Sequence, residues 1–423
     1  MIPHTGRTGT RASRWRWLPL LLAVAILGAA CAGVSKPEGW AGPTLADDTL
    51  YASVEPGKIA ALDPDDLGVK WVFPPDTEEG KRLDLEGVYG APLVAAGVVY
   101  FGAYDGNVYA LDTESGAPLW RFETQDPIVS SLSVKDDTLY TGSTDGLLYA
   151  IDTTACTNTC PPSAVRTFDT SSSIWATPLI VEDVIYVPAM SGRLYALDTS
   201  TLVEVEGFRF ETNAGLTMDP TPAGANTLLV GGIDKELFAL DPASGDQLWN
   251  EPFKGGNWFW GKPLVDGDTI FVADLDGNVH AVGLSDGQPQ WASPFKTKAA
   301  VRAAPVLAGD KLVVVDRHGN LYALDPVDGA LKWGPTLLGK TVLSDPFLLE
   351  RPSLLDGGDL TLPSPVSPEA TATIPASPTP TAEASPDVRV MELLIVAQGG
   401  DVCRIDPEDG TPVGALLCAE VPL

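Results

Sequence analysis

Between residues 91 and 123 the chain reads as four apolar runs cut by turn residues: "APLVA", "GVVYFG", "NVYALD" and "PLWRFE". Runs this short, enriched in β-branched and aromatic residues, predict strands. They are apolar almost throughout rather than alternating, which predicts a sheet covered on both faces. The intervening "YDGN" carries an Asp-Gly pair suited to a tight hairpin. After the third run, Asp112 is placed to accept a hydrogen bond from a backbone N–H two residues on, and Gly116 supplies an unusual φ angle.

The same unit recurs. With the Asp of "ALD" as an anchor, copies fall at Asp63, Asp112, Asp152, Asp198, Asp241, Gly283, Asp325 and Asp406, in steps of 49, 40, 46, 43, 42, 42 and 81. The last step contains a Pro/Thr/Ser/Ala-rich stretch, residues 351–388, and without it the eighth copy falls at the usual distance. That stretch has no aromatic residue to anchor it and is expected to be disordered or an extended, glycosylated loop. A period near 42 over eight copies is the mark of a closed array. The expected fold is all-β: an eight-bladed β-propeller of four-stranded antiparallel blades over residues 40–423. A seven-bladed ring ending near Leu349 is the alternative. Eight is preferred, because "MELLIVAQ", "DVCRID" and "GALLCAE" reproduce the last three strands of a unit.

Within each copy the spacing is tighter than the period. Eight residues after the anchor stand Trp71, Trp120, Trp249, Trp291 and Trp333; twenty before it stand Pro43, Pro92, Pro178, Pro263 and Pro305. In copy three Phe168 is expected to replace the tryptophan, and in copy four Phe208 or Phe210. Each tryptophan is expected to dock on a neighbouring blade and bury about 150–250 Å². That corresponds to an upper bound on the order of 4–6 kcal/mol. Sheets stand about 10 Å apart, so an indole needs a small residue opposite. Seven alanines two residues before the anchor, from Ala61 to Ala323, are the expected partners; copy eight has Arg404 there and Gly414 at the tryptophan position.

"GNVYALDTESGAPLW", "KELFALDPASGDQLW" and "GNLYALDPVDGALKW" resemble the tryptophan-docking repeat of quinoprotein-type (PQQ-like) β-propellers. That family includes pyrroloquinoline-quinone-dependent dehydrogenases and non-enzymatic, BamB-like lipoproteins of the outer-membrane assembly machine. The resemblance covers about residues 40–350 and 389–423. It implies a fold rather than an activity, because the repeat serves docking between blades.

The N-terminus adds a location. Arg7, Arg11, Arg14 and Arg16 precede an apolar run of thirteen, residues 18–30, too short to span a bilayer. This is the layout of a signal peptide, residues 1–30, followed by a short tether, residues 31–39. "LGAAC" resembles a lipobox, which implies lipidation of Cys31 and an extracytoplasmic protein anchored at the bacterial cell membrane or outer membrane. Removing residues 1–30 takes away four positive charges and no negative ones, so the net charge of −29 becomes −33. Such a surface repels nucleic acid and anionic headgroups. Cys156 and Cys160 lie close together, as do Cys403 and Cys418, and in an oxidising compartment the local disulfides Cys156–Cys160 and Cys403–Cys418 are favoured over zinc binding.

Catalytic signatures are weak. The sequence shows no nucleophile elbow, phosphate-binding glycine loop or histidine constellation. "DLDGN" (residues 274–278) has calcium-loop character, but Ser285 stands where the loop's glutamate belongs, and a hairpin turn explains it better. Pyrroloquinoline quinone with calcium, oxidising an alcohol or sugar, is the enzymatic alternative implied by the resemblance. The adjacent-cysteine pair carried by many of those alcohol dehydrogenases is missing, and no cofactor is expected. A possible ligand rim is formed by Trp258, Trp260 and Lys262 entering copy six with Lys296, Lys298 and Arg302 entering copy seven; it suits an anionic group or acidic peptide. Trp40, Tyr89, Trp175, Trp260 and Arg302 share one register before the strand-opening proline, as a packed inner ring would. The expected function is a non-catalytic, protein-binding assembly scaffold at the envelope, working as a monomer or as a subunit of a larger complex.

Overall fold

A computed structural model describes residues 39, 41–55, 57–77, 80, 83, 85–352, 389–414, 418–419 and 421. The expected leader, Cys31, Trp40 and residues 353–388 lie outside them. The chain divides after residue 37, and the second unit, residues 38–423, carries every described strand.

These strands form eight sheets in chain order, each with four antiparallel strands from one repeat. Blade 2 is typical: Leu93–Ala95, Val98–Gly102, Asn107–Asp112 and Pro118–Glu123. Its two middle strands are almost wholly buried and its fourth is mostly exposed, so each blade runs from a covered centre to a solvated outer edge. First strands of adjacent blades approach one another, as the inner edges of wedges must.

The core lies between blades. Each of eight clusters of buried apolar side chains is shared by two consecutive sheets. One of them joins Leu50, Ala52 and Leu62 of blade 1 to Leu394, Val396 and Val402 of blade 8, so the ring closes. Blade 8 is built entirely from C-terminal strands: Phe347–Pro352, Arg389–Val396, Val402–Ile405 and Cys418–Ala419. Its first two strands pair without a break from Phe347↔Leu394 to Pro352↔Arg389, so Arg351 and Pro352 belong to the sheet and the interruption begins later than expected. The eight-bladed reading holds; the seven-bladed alternative does not.

The tryptophans dock, but not on the alanines. Ala61, Ala110 and Ala323 are cross-strand neighbours of Trp71, Trp120 and Trp333 within the same sheet. For Trp71, Trp249, Trp291 and Trp333 the residue opposite is the turn glycine of the next blade, four places after the anchor; in blade 3 that place is Cys156, buried in one cluster with Trp120. A Cβ on Gly116 would lie 2.5 Å from the Trp71 ring, and one on Gly329 2.7 Å from Trp291. Both glycines also have positive φ, so they satisfy the turn and the close approach together. The indole N–H of four of the tryptophans donates to the carbonyl one residue past the next anchor: Trp71 to Thr113 (2.9 Å), Trp249 to Leu284 (2.8 Å), Trp291 to Pro326 (3.0 Å) and Trp333 to Pro407 (3.0 Å).

Where the indole is missing, other donors reach the same carbonyl or the one after it. In blade 3 the register places Arg166, not Phe168, opposite Ala150 at the tryptophan position, because the insertion after Asp152 lengthens the turn. Arg166 donates to Thr199 and Ser200 of blade 4, and the Tyr140 hydroxyl also donates to Thr199 (2.9 Å). In blade 4 Phe208 is the docking ring, packed on Tyr186 (centroids 5.7 Å), and the Tyr186 hydroxyl donates to Pro242 (2.7 Å). In blade 8 Arg404 donates to Asp65 of blade 1 (2.6 Å) while its guanidinium pairs with buried Glu392. A second aromatic ladder runs around six interfaces, the outer-strand Phe of one blade against a third-strand ring of the next: Phe73–Tyr109, Phe122–Tyr149, Phe168–Tyr195, Phe210–Phe238, Phe253–His280 and Phe295–Tyr322.

Cys156 and Cys160 are bonded, as are Cys403 and Cys418. The first bond closes a loop whose Asn158–Thr159 adds a fifth, parallel strand to the outer edge of blade 2 and buries Cys156 beside Trp120. The second ties the third and fourth strands of blade 8 together at a paired position.

Candidate functional site

Entry into each first strand, led by proline in seven blades and by Leu132 in blade 3, places the preceding residue at the ring's axis. Eight equivalent positions result: Gly42, Ala91, Ser131, Thr177, Asp219, Lys262, Ala304 and Asp345. Consecutive members are linked. The backbone N–H of Ala91 donates to Ser131 Oγ (2.9 Å), that of Ser131 to Thr177 Oγ1 (3.1 Å), that of Thr177 to Asp219 Oδ1 (2.7 Å), and that of Ala304 to Asp345 Oδ1 (2.7 Å). Each side chain thereby satisfies the neighbouring blade's inner backbone.

This ring bounds a cavity of about 710 Å³ to which all eight blades contribute. Tyr89, Tyr104, Trp175, Trp260 and Phe347 give it aromatic walls. Trp175 and Trp260 meet with centroids 6.2 Å apart, Tyr89 and Tyr104 at 5.3 Å, and the Arg302 guanidinium lies 4.9 Å from the Trp260 ring. The charged lining is balanced, with Asp219 and Asp345 against Lys262 and Arg302. Protein walls displace solvent from both carboxyls and raise their pKa, against the backbone N–H each accepts and the attraction of Lys262. Both open onto the cavity, where water moderates the effect. Desolvation, with repulsion from Arg317, lowers the pKa of Arg302.

Of the six residues expected at a rim, the fold brings Trp260, Lys262 and Arg302 to the cavity and leaves three outside it. Lys296 belongs to the outer strand Phe295–Lys296 of blade 6, where its ammonium is held on the blade's own turn by Asp276 and Asn278. Lys298 is exposed one residue past that strand's neighbour Thr297. Trp258 precedes fully buried Phe259 and is 37 % exposed away from the residues that line the cavity. In the inner-ring register, Tyr89, Trp175, Trp260 and Arg302 all line the cavity. Asp219 and Asp345 were not singled out from sequence. Their signal was the residue directly before the strand-opening proline, which is charged in "DP", "KP" and "DP" and small or hydroxylic elsewhere.

The Asp274 turn is of another kind. Its buried carboxylate accepts from Gly256, Asp276 and Asn278 backbone N–H groups and, on both oxygens, from the Asn278 side-chain amide Nδ2, and faces His280 Nε2 at 3.2 Å. Burial pushes its pKa up, but the bonds from His280, Asn278 and Gly256 outweigh this and hold the carboxyl well below the ordinary range. Asp316 in blade 7 accepts from Asn320 in the same way. Donors occupy these carboxylates, which is the chemistry of a braced hairpin. Among the described residues no cluster of three or more His, Cys, Asp or Glu is arranged to hold a metal ion.

Residues 6–209 and 205–347 match the family described as "Outer membrane protein assembly factor BamB". The chain belongs to this PQQ-like β-propeller family. A relative of that name from Xanthomonas campestris pv. campestris is 32 % identical over 104 residues, which are 23 % of this chain and 26 % of the relative, so the match spans about a quarter of that protein. The crystal structure of the computationally designed Ika8 protein aligns at a TM-score of 0.60 and 14 % identity, covering 87 % of this chain and 96 % of that one, a likeness of fold alone. BamB from Moraxella catarrhalis aligns at 0.48 and 23 % identity over 65 % of this chain and 79 % of that one.

Proposed function

We propose that this propeller is a non-catalytic, extracytoplasmic scaffold that binds a protein partner at the cell envelope, held there by acyl chains on Cys31. The observation that carries the reading is membership of the assembly-factor family across most of the ring. The fold supports it: the repeated Trp, Phe and Arg side chains and the turn glycines that receive the indoles are spent on docking blades to one another, so they build a rigid frame. Loops and outer edges, where Val203, Leu248, Val327 and Leu337 stand exposed, are left to meet a partner. The charge of −29 directs this surface toward protein rather than nucleic acid.

Cross-linking in intact cells followed by capture of the full chain from membranes tests the scaffold. Reproducible recovery of one envelope protein supports it, and recovery of the propeller alone from every cross-linker tried overturns it. Metabolic labelling with an alkynyl fatty acid tests the anchor: the label is expected on the wild type and absent from Cys31→Ser. Titration with pyrroloquinoline quinone and calcium separates this reading from a dehydrogenase, since saturable quinone uptake with dye reduction would replace the scaffold by an enzyme.

A further inference from the structure

The axial cavity holds charges of both signs that the fold itself does not consume. Of its hydroxyls, Thr217 donates to Phe259 O (3.0 Å) and Ser344 donates to Val396 O (2.6 Å), while Ser131 and Thr177 accept ring N–H groups. The two carboxylates each use one oxygen, Oδ1, on the neighbouring backbone. Lys262 is drawn electrostatically to Asp219 and Asp345 but forms no hydrogen bond or ion pair within 4.0 Å among the described residues. Three charged groups are therefore set around one cavity by strand-entry positions of blades 5, 6 and 8, with their binding capacity unfilled.

We infer that the axial cavity binds a small zwitterion of dipeptide size, its ammonium on Asp219 and Asp345 and its carboxylate on Lys262 and Arg302. Charge balance selects this class. A simple anion would face two carboxylates, and a simple cation would face Lys262 with Arg302 behind it. A neutral polyol would leave the charges of Asp219, Asp345 and Lys262 uncompensated. A molecule with both charges answers both sets at once. The volume of about 710 Å³ lies inside the range of small-ligand pockets. Trp175, 37 % exposed, and Trp260 offer ring surface to the ligand's side chains. The raised carboxyls and lowered guanidinium agree with sites that gain when solvent is replaced by an opposite charge.

Tryptophan fluorescence and calorimetry on the full chain, titrated with alanyl-alanine, leucyl-alanine, their N-acetyl and C-amide derivatives, and maltose, test the assignment. At least one free dipeptide is expected to bind saturably, and blocking either terminus to weaken it by about tenfold or more. The double variant Asp219→Asn/Asp345→Asn keeps the amide oxygens that accept the ring N–H groups. It is expected to fold and to lose affinity for the free dipeptide while leaving the N-acetyl form unchanged; Lys262→Met is expected to do the converse with the C-amide. Absence of saturable dipeptide binding, equal binding of blocked and free forms, or a preference for maltose overturns the proposal. These readouts do not depend on any partner protein, so the scaffold and the ligand site stand or fall separately.

Discussion

Blades 5 to 7 and blades 3, 4 and 8 solve one problem with different residues. In the first group an indole lies on the next blade's turn glycine and its N–H reaches the carbonyl beyond the next anchor. In the second, Arg166, Tyr140 and Tyr186 reach the corresponding carbonyls, and Arg404 reaches one residue further on. What the interface requires is a donor to a fixed acceptor and enough apolar area to fill the wedge. Tryptophan supplies both in one side chain. Where it is absent the two jobs are divided: Phe208 fills and Tyr186 donates.

The division predicts graded losses. Trp291→Ala removes filler and donor together and is expected to cost about 3–5 kcal/mol, read from the urea midpoint. Trp291→Phe keeps the filler and should lose only about 1 kcal/mol. If the two variants cost the same, the ring area is not what docks the blade. Arg404→Met removes the ion pair to Glu392, 6 % exposed, and should cost about 3 kcal/mol. Adding Glu392→Leu is expected to restore most of that, because the pair serves each other as much as the seam. Tyr186→Phe removes one hydroxyl and should cost about 1 kcal/mol, an effect smaller than any indole deletion.

The two kinds of carboxylate respond to pH in opposite directions, which yields the smallest and sharpest test. Asp274 has a folded pKa below its unfolded value of about 3.9. Its contribution is present above that value and is lost as pH falls through it toward the folded pKa. Asp345 has a raised folded pKa, so its ionisation opposes folding as pH rises. Asp345→Asn should therefore raise thermal stability modestly at neutral pH and do nothing near pH about 3, where both states hold the proton. Asp274→Asn should lower stability at neutral pH and flatten the acid limb of the profile. A stabilised Asp345→Asn would fit a residue retained for the cavity rather than for the ring.

Much of the ring was readable because its interactions are periodic. Anchor, tryptophan and proline recur at fixed offsets, and repetition made each copy check the others. The Phe ladder was equally periodic, in "WRFE", "RTFD" and "EPFK", but it was masked by the more conspicuous tryptophans. Phe168 does not take the tryptophan position, and Arg166 does, for a physical reason: the insertion after Asp152 adds residues to the turn, so counting from the anchor no longer gives register. The cavity was half legible. Its basic and aromatic members cluster in sequence, whereas Asp219 and Asp345 lie more than a hundred residues apart and meet only when the circle closes.

By itself the chain's pattern determined the number of blades, their strands and the residues that lock them, since those depend on local periodicity and on neighbours one repeat away. Tertiary structure decided which small residue receives each indole, which arginine replaces one, and which charges share the axis. Those are relations between positions on different sheets, and linear spacing carries no information about them until eight wedges have been packed edge to edge.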